Sequence, residues 1–333
     1  MKKEKEPKEA THQAILDLRK KYGENVITIA NDGYPPVEAI STGCFAIDRV
    51  IGVGGLPRGR ILELYGEPSS GKTATCLYFV SEVQKQGGTC AFLDSEYSFN
   101  GEFASSIGVD TKKLFVSQPT TLEEGADTIR ALVATNQIDL IVIDSVAALV
   151  PKREVEGEEM LANSMAVQSQ LMSKMLRILT GEVARSKTCV VFINHLKEKL
   201  GVYWGDKTYT PGGKSLKFFS SVRLAVSKGE KIKGKNDEQI GSIIKIVAQK
   251  NKVAPPWRKG EFTLFYATGV DHEADCLDTA EELKVIKKEG NTYMFGEEKL
   301  GVGRDRAIES LKLNKELYEK IYKATQEAVK KEG

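Results

Sequence analysis

The chain has 333 residues, 41% of them hydrophobic and 28% charged, with 48 Lys or Arg against 46 Asp or Glu and a formal net charge of +2. That length holds one large domain with appendages or two domains, and the composition is that of a globular protein. The balance of charge excludes a global basic field, so any nucleic-acid surface must be local, and no apolar run is long enough to span a bilayer, the best one being interrupted by Asp144.

Residues 1–10 are dense in Lys and Glu and lack the apolar stretch of a signal peptide. The five cysteines, Cys44, Cys76, Cys90, Cys189 and Cys276, have no C-x-x-C spacing, which fits a reducing, cytoplasmic location with the thiols acting as small apolar groups. Thr11 to Tyr22 predicts a helix with Ala14, Ile15, Leu18 and Tyr22 on one face and Gly23 as its cap. Val26 to Ile29 predicts a short strand. A lone helix and strand cannot bury their own apolar faces, so they pack either on their own core or on a neighbouring subunit. Asn31 to Pro36 is rich in turn residues.

The chain is organised around Gly66-Glu67-Pro68-Ser69-Ser70-Gly71-Lys72-Thr73. The pattern is that of a P-loop, set between the apolar run Ile61–Tyr65 and a helical stretch starting at Ala74. The glycines let backbone N–H groups turn inward around a phosphate, and the helix N-terminus adds partial positive charge. Lys72 supplies a full charge that can reach β- and γ-phosphates, and the Thr73 hydroxyl can ligate Mg²⁺.

Further strands are predicted at Thr89–Asp94, Asp139–Asp144 and Cys189–Asn194. They are continuous apolar runs, as in a parallel sheet covered on both faces. In such a sheet, ligands bind at the carboxyl ends of the strands. Asp144 ends one strand as a metal-holding carboxylate. Glu96, just after the Asp94 strand, is placed to orient and deprotonate water. Asn194-His195 ends another with groups that can sense a γ-phosphate. Ser164 to Ala184 predicts a long helix with Val167, Leu171, Met175 and Leu179 at intervals of four. Val222–Val226, Ile243–Val247 and Phe262–Tyr266 are expected to extend the sheet in antiparallel fashion. After Gly269 the texture turns rich in Lys and Glu, with helices expected at Leu277–Lys284 and Asp305–Lys331.

Residues 195–235 hold ten Lys or Arg against three acidic residues, a local charge of +7, with Tyr203, Trp204 and Tyr209 interleaved and Gly201, Gly205, Gly212 and Gly213 giving freedom. Basic groups, among them Lys197 and Lys199, follow phosphates, while rings such as Trp204 contact bases. The pattern suits single-stranded nucleic acid.

These residues resemble the bacterial RecA recombinases. The resemblance is carried by Gly66–Thr73, Asp94-Ser95-Glu96, Val142–Leu149, Ile40–Gly43, Pro211–Phe218 and Lys250-Asn251-Lys252-Val253-Ala254-Pro255-Pro256, and covers nearly the whole chain from Thr11. It implies an α/β RecA-type P-loop ATPase core with a mostly parallel central sheet (34–269), an N-terminal helix–strand oligomerisation arm (1–33) and a small α+β C-terminal domain (270–333). It also implies ATP and Mg²⁺ as cofactors, and a helical homo-oligomeric filament on single-stranded DNA that pairs with duplex DNA. Loader and single-strand-binding proteins are further partners to expect.

By the same resemblance ATP lies between subunits. Lys250 and Lys252 reach the neighbour's phosphates, Asn100, Phe103 and Tyr266 face adenosine, and Lys217 and Phe218 belong to the interface. DNA loops map to about 156–164 and 195–210, and Met165, Ser173, Arg177, Gly212, Gly213 and Lys214 fall at DNA-contacting positions. Three residues depart from the bacterial pattern: Gln170 stands for an Arg, Trp204 for a Phe and His195 for a Gln, the last also seen in phage recombinases of this superfamily. The sequence closes on Lys330-Lys331-Glu332-Gly333, so autoinhibition by a long acidic tail is not expected. The alternatives are a ring-forming motor on the same core, or an ATP-gated DNA scaffold that does not exchange strands.

Overall fold

A computed structural model describes residues 9–27, 36–157, 164–198, 208–234 and 236–332. Residues up to Val37 form one unit and Glu38–Gly333 another. In the first, a helix spans Glu9–Tyr22 and a 3₁₀ turn spans Glu24–Val26. Gly23, at φ 99°, ends the helix by donating to the Arg19 carbonyl, and the Arg19 guanidinium donates to the Ile27 carbonyl. Val26 therefore closes a turn instead of opening the expected strand, whose Thr28 and Ile29 lie outside the described residues.

The second unit is built on a nine-stranded sheet. In spatial order its strands are Gly269–Val270, Lys259–Phe265, Gln239–Asn251, Val222–Lys233, Ile61–Gly66, Cys189–His195, Leu140–Asp144, Cys90–Asp94 and Phe115–Ser117. The six from Val222–Lys233 to Phe115–Ser117 run parallel, and the other three continue antiparallel. The expectation for the three late strands is thus corrected at the first: Val222–Lys233 runs parallel to the P-loop strand, and antiparallel pairing starts at Gln239–Asn251.

Successive side chains of a strand point to opposite faces, and the two apolar layers follow. Leu62, Leu64, Leu140 and Val142 pack with the helices Phe45–Ile51 and Lys72–Lys85. Ile61, Ile141, Ile143 and Phe192 pack with Leu122–Ala134 and Ser164–Ser186. A sheet covered on both faces needs apolar residues at nearly every position, which explains the continuous apolar runs.

A third apolar layer holds Cys276, Leu277, Ile286, Tyr293, Leu300, Ile308, Leu311 and Ile321 of the C-terminal region, together with Phe45 of the core. That region carries the helix His272–Glu282, a three-stranded antiparallel sheet over residues 287–302, and the helices Arg304–Leu313 and Lys315–Glu332. The single long helix expected over Asp305–Lys331 is broken at Asn314, whose side chain caps the second helix by accepting the Leu317 N–H at 3.1 Å. Asp275 joins this region to the core: its carboxylate accepts the N–H groups of Phe45 and Ala46, at 2.6 and 2.9 Å, at the start of the helix Phe45–Ile51. Burial pushes Asp275 up to about 6 against those bonds.

Candidate nucleotide and nucleic-acid site

The strand Ile61–Gly66 delivers the loop Glu67–Gly71, and the helix Lys72–Lys85 leaves it. Ser69 and Gly71 both have left-handed backbone, at φ 58° and 91°, the kind of conformation from which anion-binding nests are built. A Cβ at Gly66 would meet the Val226 carbonyl at 2.1 Å, so only glycine fits there. Ser70 Oγ is buried without a partner. Lys72 is buried and donates from Nζ to the Glu67 carbonyl at 2.7 Å. Burial pulls its pKa down, while the carboxylates of Asp144 and Glu96 oppose the shift.

The Thr73 hydroxyl donates to Asp144 Oδ2 at 2.5 Å. Burial raises Asp144 to about 6, against that bond. An orphaned hydroxyl, a glycine-lined turn and a buried ammonium are the groups a polyphosphate would satisfy. Thr73 and Asp144 are hard oxygen donors suited to Mg²⁺. Among the described residues no cluster of three or more His, Cys, Asp or Glu could hold a metal ion.

Strand register brings the remaining polar ends to the same edge. Gly66 pairs with His195 and Asp94 with Asp144. Glu96 Oε1 accepts from Ser145 Oγ and lies 2.9 Å from His195 Nε2. Burial pushes its pKa up, but the bonds from Ser145 and His195 and the nearby charges outweigh it, so the carboxyl is held below its ordinary range. It is therefore a charged, oriented acceptor. Asp94 is a turn former, accepting the N–H groups of Ser98 and Phe99 at 3.1 and 2.9 Å.

Asn100 caps the helix Gly101–Ser106 by accepting the Phe103 N–H at 3.0 Å. Ser106 Oγ donates to the Tyr266 carbonyl at 3.2 Å, so the Asn100–Phe103 turn and Tyr266 border one region. The Tyr266 hydroxyl meets Gln239 and Ser242.

The structure does not bring Lys250 and Lys252 to their own P-loop. Arg223 pairs with both Glu63 and Lys250, so Lys250 stands two strands across and level with Glu63. Three residues of strand, about 10 Å, separate that level from Gly66. There Lys250 Nζ donates to the carbonyls of Lys217 and Phe218, and Lys252 Nζ to that of Phe218 at 3.5 Å. Phe218 is 68% exposed.

On the DNA side, the helix Ser164–Ser186 starts with Met165 in its first turn and carries Ser173, half-buried, and Arg177, exposed, with Gln170 exposed one turn earlier. Gly212 and Gly213, at φ 81° and 74°, press on this helix: a Cβ at Gly213 would meet Ser169 Oγ at 2.5 Å. Lys214 is exposed beside them. Lys197–Glu198 pairs with Thr208–Tyr209, closing the stem of the basic loop. Lys199 and Trp204, with most of that loop and residues 158–163 of the other, lie outside the described residues.

Sequence reading missed Ser145 as the partner of Glu96, and the buried Glu63–Arg223 ion pair. The signal for the pair was present, since each is a charge inside an apolar strand. It also missed Trp257, which follows Pro255-Pro256, is 64% exposed and has left-handed backbone at φ 69°.

The sequence matches the RecA N-terminal domain family over residues 9–271 and the RecA C-terminal domain family over residues 274–330. It is 44% identical over 313 residues to the RecA protein of Bacillus thuringiensis (strain Al Hakam), covering 94% of this chain and 91% of that one. Against the RecA protein of Clostridium novyi (strain NT) it is 44% identical over 310 residues, covering 93% and 88%. A crystal structure of the RadB recombinase shares the fold, with a TM-score of 0.53 at 21% identity over 69% of this chain and 98% of that one. The chain belongs to the RecA family of ATP-dependent DNA recombinases.

Proposed function

We propose that this protein binds ATP with Mg²⁺ at the P-loop, assembles head to tail as a helical filament on single-stranded DNA, and exchanges strands with a homologous duplex. The observation that carries this reading is the position of His195. Its ring reaches Glu96 beside the P-loop, and its backbone opens the basic loop.

In this reading the N–H groups of 67–71 and the Lys72 ammonium hold the phosphates. Thr73 and Asp144 hold Mg²⁺, which supplies charge neutralisation on the phosphate oxygens. Glu96, kept ionised, orients the attacking water and draws its proton, while His195 senses the γ-phosphate. Asn100, Phe103 and Tyr266 border the adenosine. Lys250 and Lys252 of the adjacent protomer stabilise developing charge, as an arginine finger does, with Lys217 and Phe218 at that junction. Met165, Ser173, Arg177, Lys197, Lys199, Trp204, Gly212, Gly213 and Lys214 line the path of DNA. The arm 1–33 docks on the next protomer, a role supported by the exposed Leu16, Leu18 and Tyr22. Segments 34–269 and 270–333 act as ATPase core and C-terminal domain. Among the described residues no helix is long and apolar enough to cross a membrane, and we place the protein in the cytoplasm.

The test is a joint-molecule assay with circular single-stranded DNA and linear duplex. Joint molecules should form with ATP and a homologous duplex, and not with ADP or a heterologous one. A protein that coats the single strand but never yields joint molecules would be an ATP-gated scaffold.

A further inference from the structure

Glu63 is a fully buried carboxylate in the middle of the P-loop strand. Oε1 accepts from Asn194 Nδ2 at 3.0 Å, and Oε2 accepts from Arg223 Nε. These partners stand on the two strands that flank the P-loop strand. Asn194 is fully buried too, and its amide is fully engaged. Nδ2 also donates to the Pro211 carbonyl at 3.0 Å, and Oδ1 accepts the His195 N–H at 2.9 Å. One side chain thus ties the backbone before the basic loop to the backbone after it. On the other flank, the Arg223 guanidinium lies over the Tyr65 ring, 4.4 Å from its centroid. The Tyr65 hydroxyl donates to Gln249, the neighbour of Lys250, and Arg223 itself pairs in register with Lys250.

We propose that Glu63 is the positioning residue that couples the nucleotide site to the DNA loop and to the lysine edge. An ionised carboxylate only accepts hydrogen bonds. Facing it, Asn194 must present Nδ2, which leaves Oδ1 for His195 and the second Nδ2 hydrogen for Pro211. The other oxygen fixes Arg223 beside Lys250, and the ion pair keeps either charge from being buried alone. A shift of the Asn194 strand on nucleotide binding therefore moves both feet of the basic loop together. The inference rests on the proposed reading in which His195 faces phosphate and the loop binds DNA.

The test uses two variants of the full chain. Glu63→Gln changes the acceptor-only character and little else. Glu63→Leu/Arg223→Leu removes both charges together. For each, the affinity for a fluorescent ATP analogue is measured, and the affinity for labelled oligo(dT) is measured with a non-hydrolysable ATP analogue and with ADP. The ratio of the two DNA affinities is the coupling between the sites. It should fall by about tenfold or more in both variants, while nucleotide affinity stays within about threefold of the parent. A purely structural role would weaken nucleotide and DNA binding alike and leave the ratio unchanged. A Glu63→Gln protein that binds nucleotide and keeps the parent's ratio overturns the proposal, and this variant decides where the double one does not fold. A parent whose DNA affinity is the same with both nucleotides overturns the underlying functional reading as well.

Discussion

Glu96 and Lys72 are held in different ways at the same sheet edge. Lys72 is buried at the base of the P-loop and offers charge. Glu96 is held by Ser145 and His195 and offers an oriented, ionised acceptor. Lys72→Ala should therefore lose productive ATP binding and filament activation. Glu96→Ala should bind ATP and form stable filaments, yet hydrolyse about 10²-fold more slowly or worse. Nucleotide binding and turnover of the two variants check this, and normal turnover in Glu96→Ala would remove it from the chemistry. The residues of the P-loop were legible in the sequence because the loop is local, with eight consecutive positions under one constraint. Glu63 and Arg223 stand out as charges inside apolar strands, but their pairing, like that of Ser145 with Glu96, was not legible, since the partners lie 160 and 49 positions apart and only strand register brings them together.

The core strands could be read because their apolar runs report burial on both faces. Direction was legible for these continuous runs, expected to be parallel and found so, but not for the later strands, since apolar content alone does not distinguish parallel from antiparallel neighbours. The strand Val222–Lys233 shows this. The break at Asn314 was equally hidden, because both halves of the stretch have helical periodicity, and a single capping side chain divides them. At the end of the strand Gln239–Asn251, burial together with the charges of Lys252 and Arg223 pushes Lys250 down to about 8. A depressed lysine is charged below its pKa and neutral above it. Assembly that uses Lys250 against a neighbour's phosphate should therefore weaken as pH rises through about 8. Lys250→Arg, whose guanidinium does not titrate in this range, should flatten the dependence. Light scattering of filaments formed with a non-hydrolysable ATP analogue measures both. An equally steep loss in Lys250→Arg would assign the pH effect to another group.

At the scale of the molecule, the P-loop lies at the carboxyl ends of the parallel strands, while Lys250 lies two strands away, level with the middle of the P-loop strand, and Lys252 follows just past the end of its own strand, farther from the P-loop. If Lys250 and Lys252 form the second half of the hydrolytic site, as proposed, one chain cannot close that site on itself and assembly becomes a condition of catalysis. The direct measurement mixes two inactive proteins, Lys72→Ala and Lys250→Ala/Lys252→Ala, and follows ATP hydrolysis on single-stranded DNA against their ratio. In a mixed filament, one kind of junction joins an intact P-loop to intact lysines. Activity, absent from either protein alone, should return on mixing and peak at intermediate ratios. Co-assembly with no activity at any ratio would rule out a site shared between protomers.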